Sequence, residues 1–174
     1  MGEGAWLIGF IAAQRICELA YVRRNTVRLL DAGAVEFGRA HYPFMIVFHA
    51  AWLIGLFALG RDHHVDRLLL GAIVLLQAGW LWVLMTLKGR WTTRIIILRN
   101  APLIAAGPYR FMRHPNYMIV VLEIAVVPLA LGLPVFAAAA SLINAALIWW
   151  RIRVENAALA WAAGDENGDP APGQ

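Results

Sequence analysis

Five runs of mainly apolar residues, each 17 to 20 residues long, constrain this chain more than any other feature of its sequence. A helix of about 20 apolar residues crosses the hydrocarbon core of a membrane, which is about 30 Å thick. Hydrophobic residues make up 61% of the chain, against roughly 45–50% in soluble domains. The sequence therefore predicts an all-α integral membrane protein with about five transmembrane helices. The predicted spans are residues 5–22, 43–59, 68–87, 117–133 and 134–150.

The basic residues between these spans predict how the chain is oriented. Connections on the cytoplasmic side of a membrane are enriched in Lys and Arg. With the N-terminus outside, 12 Lys and Arg lie on the cytoplasmic side and two lie outside. This orientation places the C-terminus in the cytoplasm, and it accounts for the net charge of +4 without nucleic acid as a partner. Gly132 and Pro134 separate the last two spans, which we predict to form a helical hairpin.

Turn residues and polarity predict the rest of the organisation. We expect one membrane-embedded domain at 1–163 and a disordered tail at 164–174, which is polar and rich in Gly and Pro. Residues 88–106 combine β-branched residues with turn formers, which predicts an ordered loop with a short strand or hairpin. Residues 23–42 form either a lid or an interfacial helix. The single cysteine, Cys17, predicts neither a disulfide framework nor a metal site.

Every predicted span contains a polar residue, and such residues usually face the bundle interior or a water-filled cavity. Arg15 and Glu18 are three residues apart, so they form a self-neutralising pair on one helical face or line a cavity. Glu123 lies more than two turns into the fourth span and needs a cationic ligand, Arg15 or its own proton. For Gln77 and Asn144, hydrogen bonding between helices is the alternative to a cavity. Polar residues in all five spans together predict an internal cavity.

A cluster of charged and aromatic residues, GPYRFMRHPNY, lies at the start of the fourth span. Pro115 fits the first turn of a helix, so Arg113 and His114 lie beside backbone N–H groups that favour an anion. Tyr109 and Tyr117 add aromatic surface that suits a base or a sulfonium group. Anchoring in the headgroup layer is the alternative explanation, but it requires no His-Pro pair and no fixed spacing.

A second motif, RIRVENAAL, follows the predicted hairpin. Arg151 and Glu155 are four residues apart, so they share one helical face if the last helix continues beyond the membrane. The hairpin returns this face to the membrane side that carries Arg113. A solvated helix end would have a similar pattern, but the two motifs together are more informative than either alone. They predict a site for an anion or carboxylate at the cytoplasmic surface.

Together, GPYRFMRHPNY, the hairpin and RIRVEN resemble the isoprenylcysteine carboxyl methyltransferase family of integral membrane enzymes. The resemblance covers about residues 88–160, half of the chain. The N-terminal half, with QRICELAYVRRN, HYPFMIVFH and WTTRIIIL, is similar to a bacterial branch whose members O-methylate alkylpyrone or alkylresorcinol lipids. This implies an enzyme of the bacterial plasma membrane, surrounded by membrane lipids, whose active site faces the cytoplasm. It also implies a lipophilic small-molecule acceptor rather than a prenylated protein. Such an acceptor would reach the site through a tunnel between the spans, and we expect Gln14, Arg15, Glu18 and His49 to line this substrate tunnel.

The resemblance implies S-adenosylmethionine as the methyl donor. Arg113 and the helix N-terminus suit the donor carboxylate, while Glu155 suits its ammonium group or ribose hydroxyls. Asn156 replaces the second acidic residue of the family pattern, which predicts weaker donor binding if that position contacts the ammonium group. The implied cofactor residues are Tyr109, Arg113, His114, Pro115, Tyr117, Glu155 and Asn156.

Methyl transfer from a sulfonium disperses positive charge, so the enzyme mainly orients and desolvates its substrates. We expect Arg94 or Arg151 to orient an anionic acceptor oxygen, and His114 or Glu123 to act where a base is needed. Three alternatives stay open. A phospholipid N-methyltransferase has a related C-terminal motif, and a sterol reductase has a related Arg-His-x-x-Tyr motif that binds NADPH. A non-enzymatic carrier of small molecules would account for the intramembrane polar residues alone.

Overall fold

The structure of this chain, a computed structural model, describes residues 2–99, 101–102 and 104–162. The tail predicted at 164–174 lies outside the described residues. The helices are α1 (Glu3–Asp31), α2 (Tyr42–Gly60), α3 (Arg67–Leu87), α4 (Pro115–Ala130) and α5 (Pro134–Ala162). The strands are β1 (Val35–Phe37) and β2 (Ile95–Ile97), and short 3₁₀ turns lie at Lys88–Arg90 and Gly107–Arg110.

Four helices of the described chain, α1, α2, α3 and α5, are long and apolar enough to cross a membrane. α4 is also apolar but has only 16 residues. At 1.5 Å per residue it is about 24 Å long, against a hydrocarbon core of about 30 Å. The chain is therefore a helical membrane protein, as predicted, and a fifth crossing by α4 stays a prediction.

The helices and the predicted spans do not have the same bounds. α1 continues past residue 22 to Asp31, and α5 continues past residue 150 to Ala162. α4 ends at Ala130, because Gly132 has a φ of 69° and turns the chain. Hydropathy locates the part of a helix that lies in the membrane. The helix itself ends where its backbone hydrogen bonds end. Polar helical turns beyond an apolar run are therefore invisible to a hydropathy argument.

The described residues are mainly helical, as the predicted all-α fold requires, and they also contain a small two-stranded antiparallel sheet formed by β1 and β2. β2 is the short strand expected within residues 88–106. Its partner β1 lies in the segment that the sequence left open between a lid and an interfacial helix. Phe37 pairs with Ile95, and both pack with Ala158 of α5 in a small core of their own. The sheet is thereby fastened to the end of α5.

α4 and α5 form the predicted helical hairpin, joined by the turn at 131–133. The main hydrophobic core lies toward the end of the bundle that contains this turn, where side chains from all five helices meet. Ile11 of α1, Leu56 of α2 and Val127 of α4 are completely buried in it. This packing holds the helices together at one end and leaves the two sequence motifs at the other.

We predict that Gly4→Ala destabilises the contact between α1 and α2. A Cβ atom on Gly4 would overlap the backbone carbonyl oxygen of Gly60, which has no side-chain freedom to move away. We expect a cost of about 1–3 kcal/mol, measured as a lower midpoint of thermal unfolding in detergent. Gly9→Ala is the matched control, since a Cβ there meets nothing within 4 Å. Equal effects of the two substitutions would contradict the close approach of the helices.

Candidate functional site

A cavity of about 500 Å³, which we call the motif cavity, lies where the two sequence motifs meet. Its walls come from the loop before α4, the start of α4, the end of α5, and β2 with the residues around it. The isoleucines of β2 contribute an apolar part of this lining. Seven predicted site residues line it: Arg94, Tyr109, Arg113, His114, Tyr117, Arg151 and Glu155.

Four of these residues form one hydrogen-bonded cluster that joins the two motifs. Arg151 Nε donates a hydrogen bond to Tyr117 Oη at 2.8 Å, and the Tyr117 hydroxyl donates one to Glu155. The His114 ring stacks on the Tyr117 ring with their centroids 5.1 Å apart. His114 Nδ1 also lies 3.5 Å from Glu155 Oε2. The predicted association of the N-terminal end of α4 with the C-terminal half of α5 is therefore present, with Tyr117 at its centre.

The start of α4 presents positive electrostatic potential to the motif cavity. His114 is the residue before the helix and Pro115 is its first residue, and no side chain caps the exposed N–H groups. Arg113 is exposed, lines the cavity, and has no ion pair or side-chain hydrogen bond within the described residues. A helix N-terminus beside an arginine attracts an anion such as a carboxylate.

Tyr109 provides a half-buried aromatic wall between the 3₁₀ turn and the cluster. Burial, and secondarily the nearby Glu155 carboxylate, raise the pKa of Tyr109 to about 12. The phenol is therefore neutral at physiological pH. A neutral aromatic ring beside a carboxylate suits a ligand that carries positive charge.

Arg94 lines the motif cavity but is already paired. Its Nη1 lies 3.2 Å and 3.3 Å from the two carboxylate oxygens of Glu36 in β1. Its guanidinium group also lies over the Tyr42 ring, 4.9 Å from the centroid. These contacts hold β2 and the start of α2 around the cavity, and they reduce the hydrogen-bonding capacity that Arg94 has for an acceptor.

Three of the predicted catalytic and cofactor-binding residues are not among the described cavity lining. Pro115 is buried in the first turn of α4, where it supports the helix start. Asn156 is exposed on α5, so the weaker donor binding expected from it does not follow from its position. Glu123 is buried in the bundle, away from the cavity, and its position does not support a role as base.

Glu123 belongs to a second group of polar side chains, which we call the carboxylate network. Arg15 donates one hydrogen bond to Glu18 Oε2, at 2.9 Å, and one to Glu123 Oε2. Gln77 Nε2 donates to Glu123 Oε1, and Trp91 Nε1 donates to Glu18 Oε1, both at 3.1 Å. All four carboxylate oxygens therefore accept a hydrogen bond. The network confirms the pairing of Arg15 with Glu18, and it identifies Arg15 as the partner of Glu123.

The four predicted tunnel residues have different environments. Arg15 and Glu18 lie in the carboxylate network. Both amide atoms of Gln14 are buried without a hydrogen-bond partner in the described chain, and His49 Nδ1 lies 2.8 Å from the Met45 carbonyl oxygen. None of the four lines the motif cavity, so a tunnel through them stays a prediction.

The sequence did not predict two residues that shape the cavity wall. Asn25 Nδ2 donates hydrogen bonds to the backbone oxygens of Trp91, at 3.0 Å, and Lys88, at 3.3 Å. Glu36 pairs with Arg94, as described above. Each contact joins residues more than 50 positions apart, and no local periodicity encodes such a pairing. One feature of the sequence could have indicated a buried role for Asn25. It continues the helical spacing of Glu18 and Val22 beyond the first apolar run.

The chain resembles known proteins over most of its length. The model of the isoprenylcysteine carboxyl methyltransferase (ICMT) family matches residues 68–161. The chain is 35% identical over 158 residues to the uncharacterized protein YpbQ of Bacillus subtilis (strain 168), covering 88% of this chain and 94% of that protein. It is 23% identical over 131 residues to an uncharacterized protein of Haemophilus influenzae, covering 72% and 73% respectively. No solved structure matches the chain.

We predict that Arg15→Met strongly destabilises the protein, because it leaves the buried carboxylates of Glu18 and Glu123 without a cation. Breaking a buried ion pair by removing one partner costs about 3–5 kcal/mol. The double variant Arg15→Met with Glu123→Gln should recover part of this loss in thermal unfolding. Arg23→Met, at an exposed arginine of the same helix, serves as the control. An unchanged unfolding midpoint in Arg15→Met would show that the network contributes nothing to stability.

Proposed function

Because this chain belongs to the isoprenylcysteine carboxyl methyltransferase family, we propose that its motif cavity binds S-adenosylmethionine and serves methyl transfer to a lipophilic acceptor. Membership of the family makes the chain a membrane methyltransferase that uses S-adenosylmethionine. The observation that carries the site assignment is the cluster of His114, Tyr117, Arg151 and Glu155. It brings both family motifs to one cavity.

The residues of the motif cavity fit the chemistry of the donor. Arg113 and the uncapped start of α4 provide donors for its carboxylate. The Glu155 carboxylate suits its ammonium group or ribose hydroxyls, and the rings of Tyr109 and His114 suit its adenine. A cavity of about 500 Å³ also falls within the range of roughly 300–1,000 Å³ for small-molecule sites.

The protein contributes mainly orientation and exclusion of water. When bound, S-adenosylmethionine supplies an electrophilic methyl group on a positively charged sulfur. Tyr117 is held between Arg151 and Glu155, which fixes all three side chains at the cavity wall. The apolar wall of β2 reduces the water around the reacting groups. Arg151 is the candidate to orient an acceptor oxygen, with Arg94 as a second candidate once it leaves Glu36.

We propose O-methylation of a polyketide-type lipid or of a lipid carboxylate as the specific reaction. The apolar β2 wall beside charged donor-binding residues supports an acceptor with a long apolar part and a polar end. Such an acceptor would enter the protein from the surrounding membrane lipids. Nucleic acid is not a partner in this proposal.

The excess of Lys and Arg supports a site that faces the cytoplasm from a bacterial plasma membrane, with the N-terminus outside and five crossings that include α4. The C-terminus would then also lie in the cytoplasm. A reporter that is active only in the cytoplasm, fused to the C-terminus, tests this orientation. An inactive but well-expressed fusion would overturn it.

We predict saturable binding of S-adenosylhomocysteine to the detergent-purified protein in calorimetric titration. Arg113→Ala and Glu155→Gln should each weaken binding at least about tenfold, because each removes a charge-assisted hydrogen bond. Arg110→Ala is the matched control, since Arg110 is exposed on the same loop but outside the cavity lining. Failure of the well-folded wild-type protein to bind would contradict the proposed function, and NADPH would be titrated next.

A further inference from the structure

The helical hairpin places Asn144 at the depth of the carboxylate network. The Tyr117–Arg151 hydrogen bond fixes the register of the two helices. Asn144 on α5 and Ile124 on α4 lie equally far from this bond along their helices. Glu123 is the neighbour of Ile124 and belongs to the carboxylate network. Asn144 therefore lies at about the depth of Glu123. This depth is about two helical turns, or about 10 Å, from Arg151 along α5.

The contact between α1 and α2 places His49 at the same depth. Gly4 of α1 lies against Gly60 of α2. Arg15 and His49 are equally far from these two glycines along antiparallel helices. Arg15 in turn bonds to Glu123 of α4. These residues form one polar layer across the bundle, to which each of the five helices contributes. Its members are Arg15, His49, Gln77, Glu123 and Asn144.

The polar layer has two parts that differ in hydrogen bonding: the carboxylate network, and the amides of Asn144 and Gln14, which we call the unpartnered side. In the carboxylate network every carboxylate oxygen already has a donor, and two glutamates face one arginine, for a formal charge of −1. Asn144 is only 1% exposed, and neither of its amide atoms has a partner in the described chain. The amide of Gln14 is unpartnered in the same way. Buried amides without partners are costly, so this side of the layer requires a ligand or water.

The arrangement of α2 connects the unpartnered side to the motif cavity. α2 meets α5 near its start, where the rings of His41 and Trp150 lie 5.8 Å apart. It meets α5 again farther along, where Gly55 faces Phe136. His49 lies between these two contacts along α2, and Asn144 lies between them along α5. Arg151 lines the motif cavity and lies two helical turns from Asn144 on the same helix, which places the cavity on the Arg151 side of this region.

We propose that Asn144, with Gln14 and His49, forms a subsite for an uncharged hydrogen-bonding group of the acceptor, distinct from the group that is methylated. This inference rests on the proposed function, since it takes the acceptor to reach the motif cavity. Neutral amides match a hydroxyl or carbonyl group, while the negative charge of the carboxylate network repels a phosphate or carboxylate. The acceptor is therefore an amphipathic lipid with at least two polar groups, and Asn144 determines specificity for the second one.

The test compares two lipids with the same alkyl chain, a pentadecylphenol with one hydroxyl and a pentadecylresorcinol with two. Binding to purified protein is measured by quenching of tryptophan fluorescence, without any methyl donor. We expect the wild-type protein to bind the resorcinol about tenfold more tightly, because its second hydroxyl satisfies a buried amide. Asn144→Leu should bind both lipids equally. Ser141→Ala, one turn away on α5, should keep the wild-type preference.

Two results would overturn the subsite. Equal binding of the two lipids by the wild-type protein would show that no second group is recognised. A preference that survives in Asn144→Leu would show that water alone satisfies the amide. Binding of S-adenosylhomocysteine is measured on the same samples and reports separately on the proposed function. Normal cofactor binding in Asn144→Leu also shows that the variant is folded.

Discussion

Two largely buried arginines, Arg15 and Arg151, need partners inside the helix bundle, and those partners determine how its helices are arranged. A charge in an apolar interior is tolerated only with an opposite charge or a saturated set of hydrogen bonds. Arg15 meets this need through Glu18 and Glu123, which joins α1 to α4. Arg151 donates to the Tyr117 hydroxyl, which in turn donates to the Glu155 carboxylate, and this chain of bonds joins α5 to α4. The shortest helix, α4, therefore receives both contacts and positions its neighbours.

The same constraint explains why the two sequence motifs work as a unit. Tyr117 belongs to the first motif, and its hydroxyl bonds to Arg151 and Glu155 of the second. Since the turn between α4 and α5 is only a few residues long, the register of the hairpin is fixed once this contact forms. The uncapped start of α4 is then held beside Glu155, so positive and negative groups both line one cavity. A zwitterionic ligand fits such an arrangement better than a simple anion.

Local properties of the sequence predicted α2 and α3 closely, because both helices are apolar from end to end. They did not locate the ends of α1 and α5, where polar helical turns follow an apolar run. The sheet illustrates a different limit, since β1 and β2 are three residues each and are stabilised by one another and by α5. At the site, the spacing of Arg151 and Glu155 predicted a shared face, and the hairpin predicted that this face returns to the membrane side of Arg113. The pairing of Glu36 with Arg94 depends on tertiary packing, and the sequence around neither residue indicates it.

The most direct test of the account is transfer of a radiolabelled methyl group from S-adenosylmethionine to a long-chain alkylresorcinol in proteoliposomes. Tyr117→Phe removes the hydroxyl between Arg151 and Glu155 but keeps the ring that stacks on His114. The account predicts transfer by the wild-type protein and a rate about ten- to a hundredfold lower in Tyr117→Phe. Equal rates in the two proteins would contradict the claim that this cluster forms the active site.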